Sequence, residues 1–238
     1  MPTHSLDVLS SLSPAVPPQL AELAESAARA GAAEPAEAMP TTPRPAASVV
    51  LCRDGDAGLE TFLLHRHARM AFAASMAVFP GGGLDPVDRS AADPWRACAV
   101  RETREETGVS LEAADLVPWA HWITPLLQPI RYDAYFFLAA LPPGQAAADL
   151  STETERAAWT APAAAVAAYG QGVLAMMPPT LSILLELAEL ATVADALAVG
   201  RDRVVETVLP EVVRDGAGWV FRYPSSRLSG SERPAAER

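Results

Sequence analysis

The sequence predicts a mixed α/β fold in which a β-sheet is sandwiched between helices. Short β-branched and aromatic runs come in the order strand, strand, strand, helix, strand, strand, helix. Half of the 238 residues are hydrophobic, enough to bury a sizeable core. Turn and cap residues fall between the runs, where an ordered chain needs them.

Taken in order, residues 1–44 are rich in Pro, Ala, Ser and Glu and read as an N-terminal extension. Within it, Gln19–Gly31 has helical spacing, while "SPAVPP" and "MPTTPRPAAS" read as linker. Residues 45–223 are expected to form the main domain. Ala47–Arg53 is β-branched, "DGDAG" is a turn signal, and Leu59–His65 completes a hairpin. "SMAVFPGGG" predicts a short strand entering a glycine loop. "DPWRACAVRETREETG" predicts a helix, with Asp93 as N-cap, Pro94 in the first turn and Gly108 as the C-terminal stop. "LVPWAHWITP" and "RYDAYFFLAAL" read as strands, "RAAWTAP" follows, and Pro162–Tyr169 reads as a helix. Leu181, Leu184, Leu185 and Ala188 recur at helical spacing in a helix or helix pair, which would cover the sheet or the surface of a homodimer. "VETVLPEVVRDGAGWVFRYP" reads as a hairpin turning at Asp215-Gly216, and residues 224–238 as a disordered tail.

The net charge of −11 and pI near 4.8 disfavour nucleic acid as a partner, because phosphate backbones attract basic surfaces. A phosphorylated small molecule stays open if a cation or local arginines offset the repulsion. All 18 basic residues are arginine, which excludes lysine chemistry such as Schiff bases and P-loops. Cys52 and Cys98 show no ligand spacing, so a reducing compartment is expected. No signal-peptide pattern and no apolar run of membrane-spanning length is present, and a cytoplasmic protein with no membrane partner is expected.

The most charged stretch is "RETREETGV" at Arg101–Val109. On a helix Glu102, Glu105 and Glu106 stand at i, i+3 and i+4 and share one face. Like charges so placed repel by roughly 0.2–0.5 kcal/mol per pair. A solvated charged face is one reading. The other is a divalent cation, which would convert repulsion into binding; Mg²⁺ takes oxygen ligands. Arg101 can reach Glu105 and offset part of the charge. "VFPGGG" lies just upstream, where glycines let backbone groups approach a metal or phosphate closely.

Together these residues resemble the Nudix hydrolase family. Its box runs Gly, five residues, Glu, seven residues, Arg-Glu-U-x-Glu-Glu-x-Gly-U, with U a bulky aliphatic residue. Arg101–Val109 matches every position except Thr103. Counted back from Arg101, Asp93 stands where the box has its first Glu; counted forward from Gly82, the loop is about five residues too long. The first Glu is therefore replaced by Asp93, which also suits the helix cap, or absent. Asp85 and Asp88 lie in the lengthened loop.

The resemblance implies a Nudix fold and a diphosphatase using Mg²⁺ or Mn²⁺ on a small-molecule diphosphate. It implies Glu102, Glu105 and Glu106 as metal ligands, with the Gly81 carbonyl as a further one. It implies catalytic roles for Arg101, Glu102 and Glu105. A base would come from Glu153, Glu155 or Asp93, and Glu102 could instead orient or deprotonate the water. Phe62–Gly82 resembles the segment before the box in coenzyme A-type Nudix diphosphatases, at Leu64, Arg66, Phe79, Pro80, Gly81 and Gly82, although Ala74-Ser75-Met76 replaces their Pro-Gly-Glu. "PPTLSILLELA" and the lengthened loop look like the peroxisomal coenzyme A diphosphatase branch and its bacterial relatives. Arg66, Arg69 and Gly82 are the expected substrate contacts, since arginine binds phosphate bidentately. Coenzyme A or acyl-CoA is the first expected substrate. NADH, ADP-ribose and nucleotide sugars are alternatives, as is a Nudix module that binds without turnover. Trp119, Trp122, Tyr132 and Tyr135 are read as core or as a base-stacking wall, and His65, His67 and His121 as structural.

Overall fold

A computed structural model describes residues 18–29, 41–67, 75–126, 128, 130–216 and 218–223, with Leu6 and Val8. Helix α1 spans Pro18–Arg29. Strands β1 (Arg44–Gly55) and β2 (Gly58–Arg66) form the expected hairpin, with Cys52 opposite Thr61 and Gly55 opposite Gly58. The short strands β3 (Ala77–Val78) and β4 (Gly81–Gly83) follow. Helix α2 (Pro94–Thr107) precedes β5 (Val117–Ile123), β6 (Tyr132–Ala140) and β7 (Thr154–Thr160). Helices α3 (Pro162–Gly170), α4 (Pro178–Leu187) and α5 (Val193–Arg201) come next. Strand β8 (Thr207–Val208) and the pair β9 (Glu211–Asp215) and β10 (Gly218–Arg222) end the described chain.

The main sheet has the order β3-β2-β1-β6-β5-β8, with β4 also on β1 and β7 also on β2. The β1–β6 and β5–β8 pairs are parallel; the others are antiparallel. Strand β1 is central and buried on both faces, which is why it reads as a near-continuous apolar run. Ala47, Val49 and Leu51 point to one side, where Cys98 and Ala99 of α2 pack with Phe62 and Leu64. Val50 and Cys52 point to the other, where Leu63, Trp119 and Leu138 meet Leu181, Ile183, Leu184 and Leu187 of α4 and Ala196 of α5. The leucine-rich helix thus covers the sheet. Buried among these residues, the Cys52 thiol is pushed well above its usual pKa and behaves as a small apolar group.

Local signals were sound where capping chemistry sets them. Asp93 accepts the Arg96 N–H at 3.1 Å, and Gly108 has φ 75°, the left-handed stop. Two readings change. "MPTTPRPAAS" is not all linker, because β1 begins at Arg44 and Arg44–Ser48 pair with β6, and Ala46–Ser48 also with β4. Thr207-Val208 leave the terminal hairpin and join the main sheet beside β5. The expected disordered tail at 224–238 lies outside the described residues.

One partly buried polar knot fastens α4 to the sheet. Glu186 accepts Trp119 Nε1–H at 2.9 Å and both Arg203 Nη groups at 2.6 and 3.1 Å, and the Arg203 guanidinium lies over the Trp119 ring. Glu186→Ala leaves the arginine and the indole N–H without this acceptor, so we expect a loss of about 2–3 kcal/mol, read as a shifted urea midpoint. An unchanged midpoint would show that the knot contributes nothing.

Candidate active site

The glutamates sit on the last two turns of α2, whose opposite face is in the core. Thr103, at the box position where an aliphatic residue is usual, is fully buried. Its hydroxyl donates to the Ala99 carbonyl at 2.7 Å, so the helix itself satisfies the polar atom. That burial turns Glu102, Glu105 and Glu106 toward a cavity of about 810 Å³ that all three line. Gly81, Gly82 and Gly83 of β4 line it too, with Arg66 and Glu153. Much of its remaining wall is apolar, with Trp122, Met176, Met177, Pro178, Phe221 and Tyr223.

Strand β4 approaches α2 closely. The Gly81 N–H donates to Glu106 Oε2 at 2.8 Å. A Cβ on Gly82 would strike the Glu102 carboxylate, which explains glycine there.

Arg101 is the hub behind the cavity wall. Its Nη2 reaches Asp88 Oδ2 at 2.8 Å and the Gly83 carbonyl at 3.1 Å. Its Nη1 reaches Glu102 Oε1 at 2.9 Å and Glu105 Oε2 at 3.2 Å. It is absent from the cavity lining, so it acts through the glutamates it holds. Asp88 is 3% exposed and was undervalued in the sequence. The signal was available: Gly82, five residues, then Asp88 is the spacing of the first half of the box. The extra residues therefore follow Asp88 and precede α2. Asp93 stays outside the cavity, held as helix cap and paired with Arg96 at 3.2 Å.

Burial pushes the Glu106 carboxyl up to about 7, with the Glu102 charge adding to the effect and the Gly81 N–H opposing it. Burial also raises Glu102, against the opposing pull of Arg101. Among the described residues no three His, Cys, Asp or Glu side chains are gathered closely enough to hold a metal ion as they stand. Arg101 occupies Glu102 and Glu105, and Glu106 is turned to Gly81. The donor chemistry nonetheless fits a hard cation: three carboxylates offering only oxygen donors, on one turn of α2 and lining one cavity.

Across the cavity Arg66 Nη2 donates to Glu153 Oε2 at 2.7 Å, and the His67 N–H fixes the Glu153 carbonyl at 2.9 Å. Arg66 Nε is buried without a partner among the described residues. Glu155 does not line the cavity, and Arg69 lies outside the described residues. Trp119 is core, Trp122 and Tyr132 line the cavity, and Tyr135 stacks on His121 at 3.9 Å. His121 bonds Asp133 and Thr207 and is structural.

This geometry can be set beside known proteins. A NUDIX domain model matches residues 42–177. The Caenorhabditis elegans protein named "Putative nudix hydrolase 7" is 29% identical over 189 residues, covering 64% of this chain. The match spans 62% of that relative's length. The crystal structure of a NUDIX hydrolase from Alicyclobacillus acidocaldarius superposes with a TM-score of 0.60 at 25% identity, covering 66% of this chain and 96% of the other. The chain belongs to the Nudix hydrolase family. Its fold is the one that family uses, and divalent metal ions are the family's general requirement.

Proposed function

We propose that the protein hydrolyses the diphosphate bond of a nucleoside-diphosphate-linked compound, with coenzyme A or acyl-CoA as the first substrate. The observation that carries this is the convergence of Glu102, Glu105, Glu106, the β4 glycines, Arg66 and Glu153 on one cavity whose wall also carries Trp122, Met176, Met177, Phe221 and Tyr223. Carboxylates and an arginine beside so much apolar wall suit a diphosphate carrying a weakly polar arm.

Glu102, Glu105 and Glu106 would hold Mg²⁺ or Mn²⁺, which supplies positive charge against the charge developing on the phosphoryl oxygens. The protein's own residues do the rest. Arg66, which lines the cavity, offers its guanidinium to a phosphate oxygen. Of Glu153, Glu155 and Asp93, Glu153 lines the cavity, and it takes the proton from the attacking water. Glu102 orients that water. Arg101 holds Glu102 and Glu105 in place. The water oxygen bonds to phosphorus as the bridging P–O bond breaks, giving two phosphate monoesters.

The test is a panel of coenzyme A, acetyl-CoA, NADH, ADP-ribose and UDP-glucose, with Mg²⁺ or Mn²⁺ and with chelator. Metal-dependent cleavage of the coenzyme A compounds is expected to exceed the others. Preference for another member would move the substrate assignment. No cleavage of any member would favour a module that binds without turnover.

A further inference from the structure

Part of the cavity's apolar wall comes from β9–β10, which supplies Phe221, and from the flanking Pro210 and Tyr223. This hairpin is a separate two-stranded sheet and forms no ladder with the main one. An isolated two-stranded hairpin is marginally stable in water, so something else must hold it. Helix α1 supports it on one side, and the main core meets Phe221 and the flanking Tyr223 on the other. Ala24, fully buried, packs with Ala21 against Val212, Trp219 and Phe221. Glu25 Oε2 accepts Trp219 Nε1–H at 3.2 Å and pairs with Arg214 at 3.4 Å. Phe221 belongs to this cluster and also packs on the main core. Tyr223 meets Trp122 edge to face at 6.0 Å. Contact therefore runs unbroken from α1 through Trp219 and Phe221 to the cavity wall.

We propose that α1 is a working part of the substrate site: it seats the β9–β10 hairpin and so sets how firmly the cavity grips the substrate's non-phosphate arm. The gripping rests on the diphosphatase reading; the seating does not. Residues of α1 are positioning residues, since no described residue of the helix lines the cavity. Losing α1's grip should weaken substrate binding and spare the chemical step.

The experiment uses full-length protein with Ala24→Asp, which places a charge in the α1–hairpin contact, and separately Trp219→Ala. Hydrogen exchange of residues 211–222 is expected to speed up about tenfold or more in both, with residues 94–107 of α2 unchanged. With the best substrate of the panel, KM should rise about tenfold while kcat and the half-saturating Mg²⁺ concentration stay within about twofold. Unchanged hairpin exchange in both variants overturns the seating. Faster exchange with unchanged KM overturns the link to the cavity. An inert wild type counts against the diphosphatase reading alone, and the exchange result still decides the seating.

Discussion

Glutamine in place of Glu106 is expected to cut divalent-cation-dependent hydrolysis about 10³-fold, since a metal contributes several kcal/mol to transition-state charge stabilisation. The amide keeps an acceptor for the Gly81 N–H, so the fold has no reason to change. Stability should move the other way. Burial raises the Glu106 carboxyl to about 7, above its unfolded value, so its contribution is full at low pH and is lost as pH rises through about 7. Without metal at pH 8, Glu106→Gln should therefore be more stable than wild type by an amount on the order of 2–3 kcal/mol, and by little at pH 5. Metal binding must expel the same proton, so the thermal shift given by Mg²⁺ should be larger at pH 8 than at pH 6 in wild type only. Calorimetry at the two pH values, with and without Mg²⁺, checks the set. A variant that keeps wild-type turnover would remove Glu106 from the site.

That prediction joins what the sequence shows to what only the folded chain shows. The common face of Glu102, Glu105 and Glu106 follows from helical spacing, and the ends of α2 follow from Asp93, Pro94 and Gly108, because caps and periodicity are local. Asp88 is different. Its role depends on a loop folding back until the carboxylate lies under Arg101, and tertiary contact, not propensity, decides that. Arg44–Ser48 were obscured by Pro43 and Pro45, since proline argues for linker until partner strands are known. The cavity's apolar wall draws on β5, the start of α4 and the terminal hairpin, which lie far apart in sequence. No single window of sequence carries such a wall. Arg66 and Glu153, 87 residues apart, were each named from their own surroundings, but their pairing was visible only in the fold.

Arg101→Ala tests the hub. Asp88 is nearly inaccessible to water, and Arg101 is its charged partner through three contacts of 2.8, 3.1 and 3.3 Å. Breaking a buried pair by removing one side typically costs about 3–5 kcal/mol, because the remaining charge is left uncompensated. For a domain of this size that predicts a melting temperature lower by about 6–20 °C. The pH dependence separates this cause from simple loss of packing. In wild type, burial alone would raise the Asp88 carboxyl, but the Arg101 hydrogen bonds and charge outweigh it and hold the group below its usual value. A depressed carboxyl stabilises the fold above its unfolded pKa and stops doing so as pH falls through the folded one. Without Arg101, burial is opposed only by the Asp85 N–H and the Arg89 charge, and Asp88 takes up a proton at higher pH than in wild type. The deficit of Arg101→Ala should therefore be greatest near pH 7.5 and narrow toward pH 4.5 in urea titrations. A deficit independent of pH would mean that Arg101 acts by packing. Glu102 and Glu105 also lose the group that bridges them, so hydrolysis should fall with a raised half-saturating Mg²⁺ concentration. Arg101→Lys should recover much of the stability, through the retained charge, and less of the Mg²⁺ affinity, because an ammonium cannot reproduce the guanidinium fork that spans Asp88 and both glutamates.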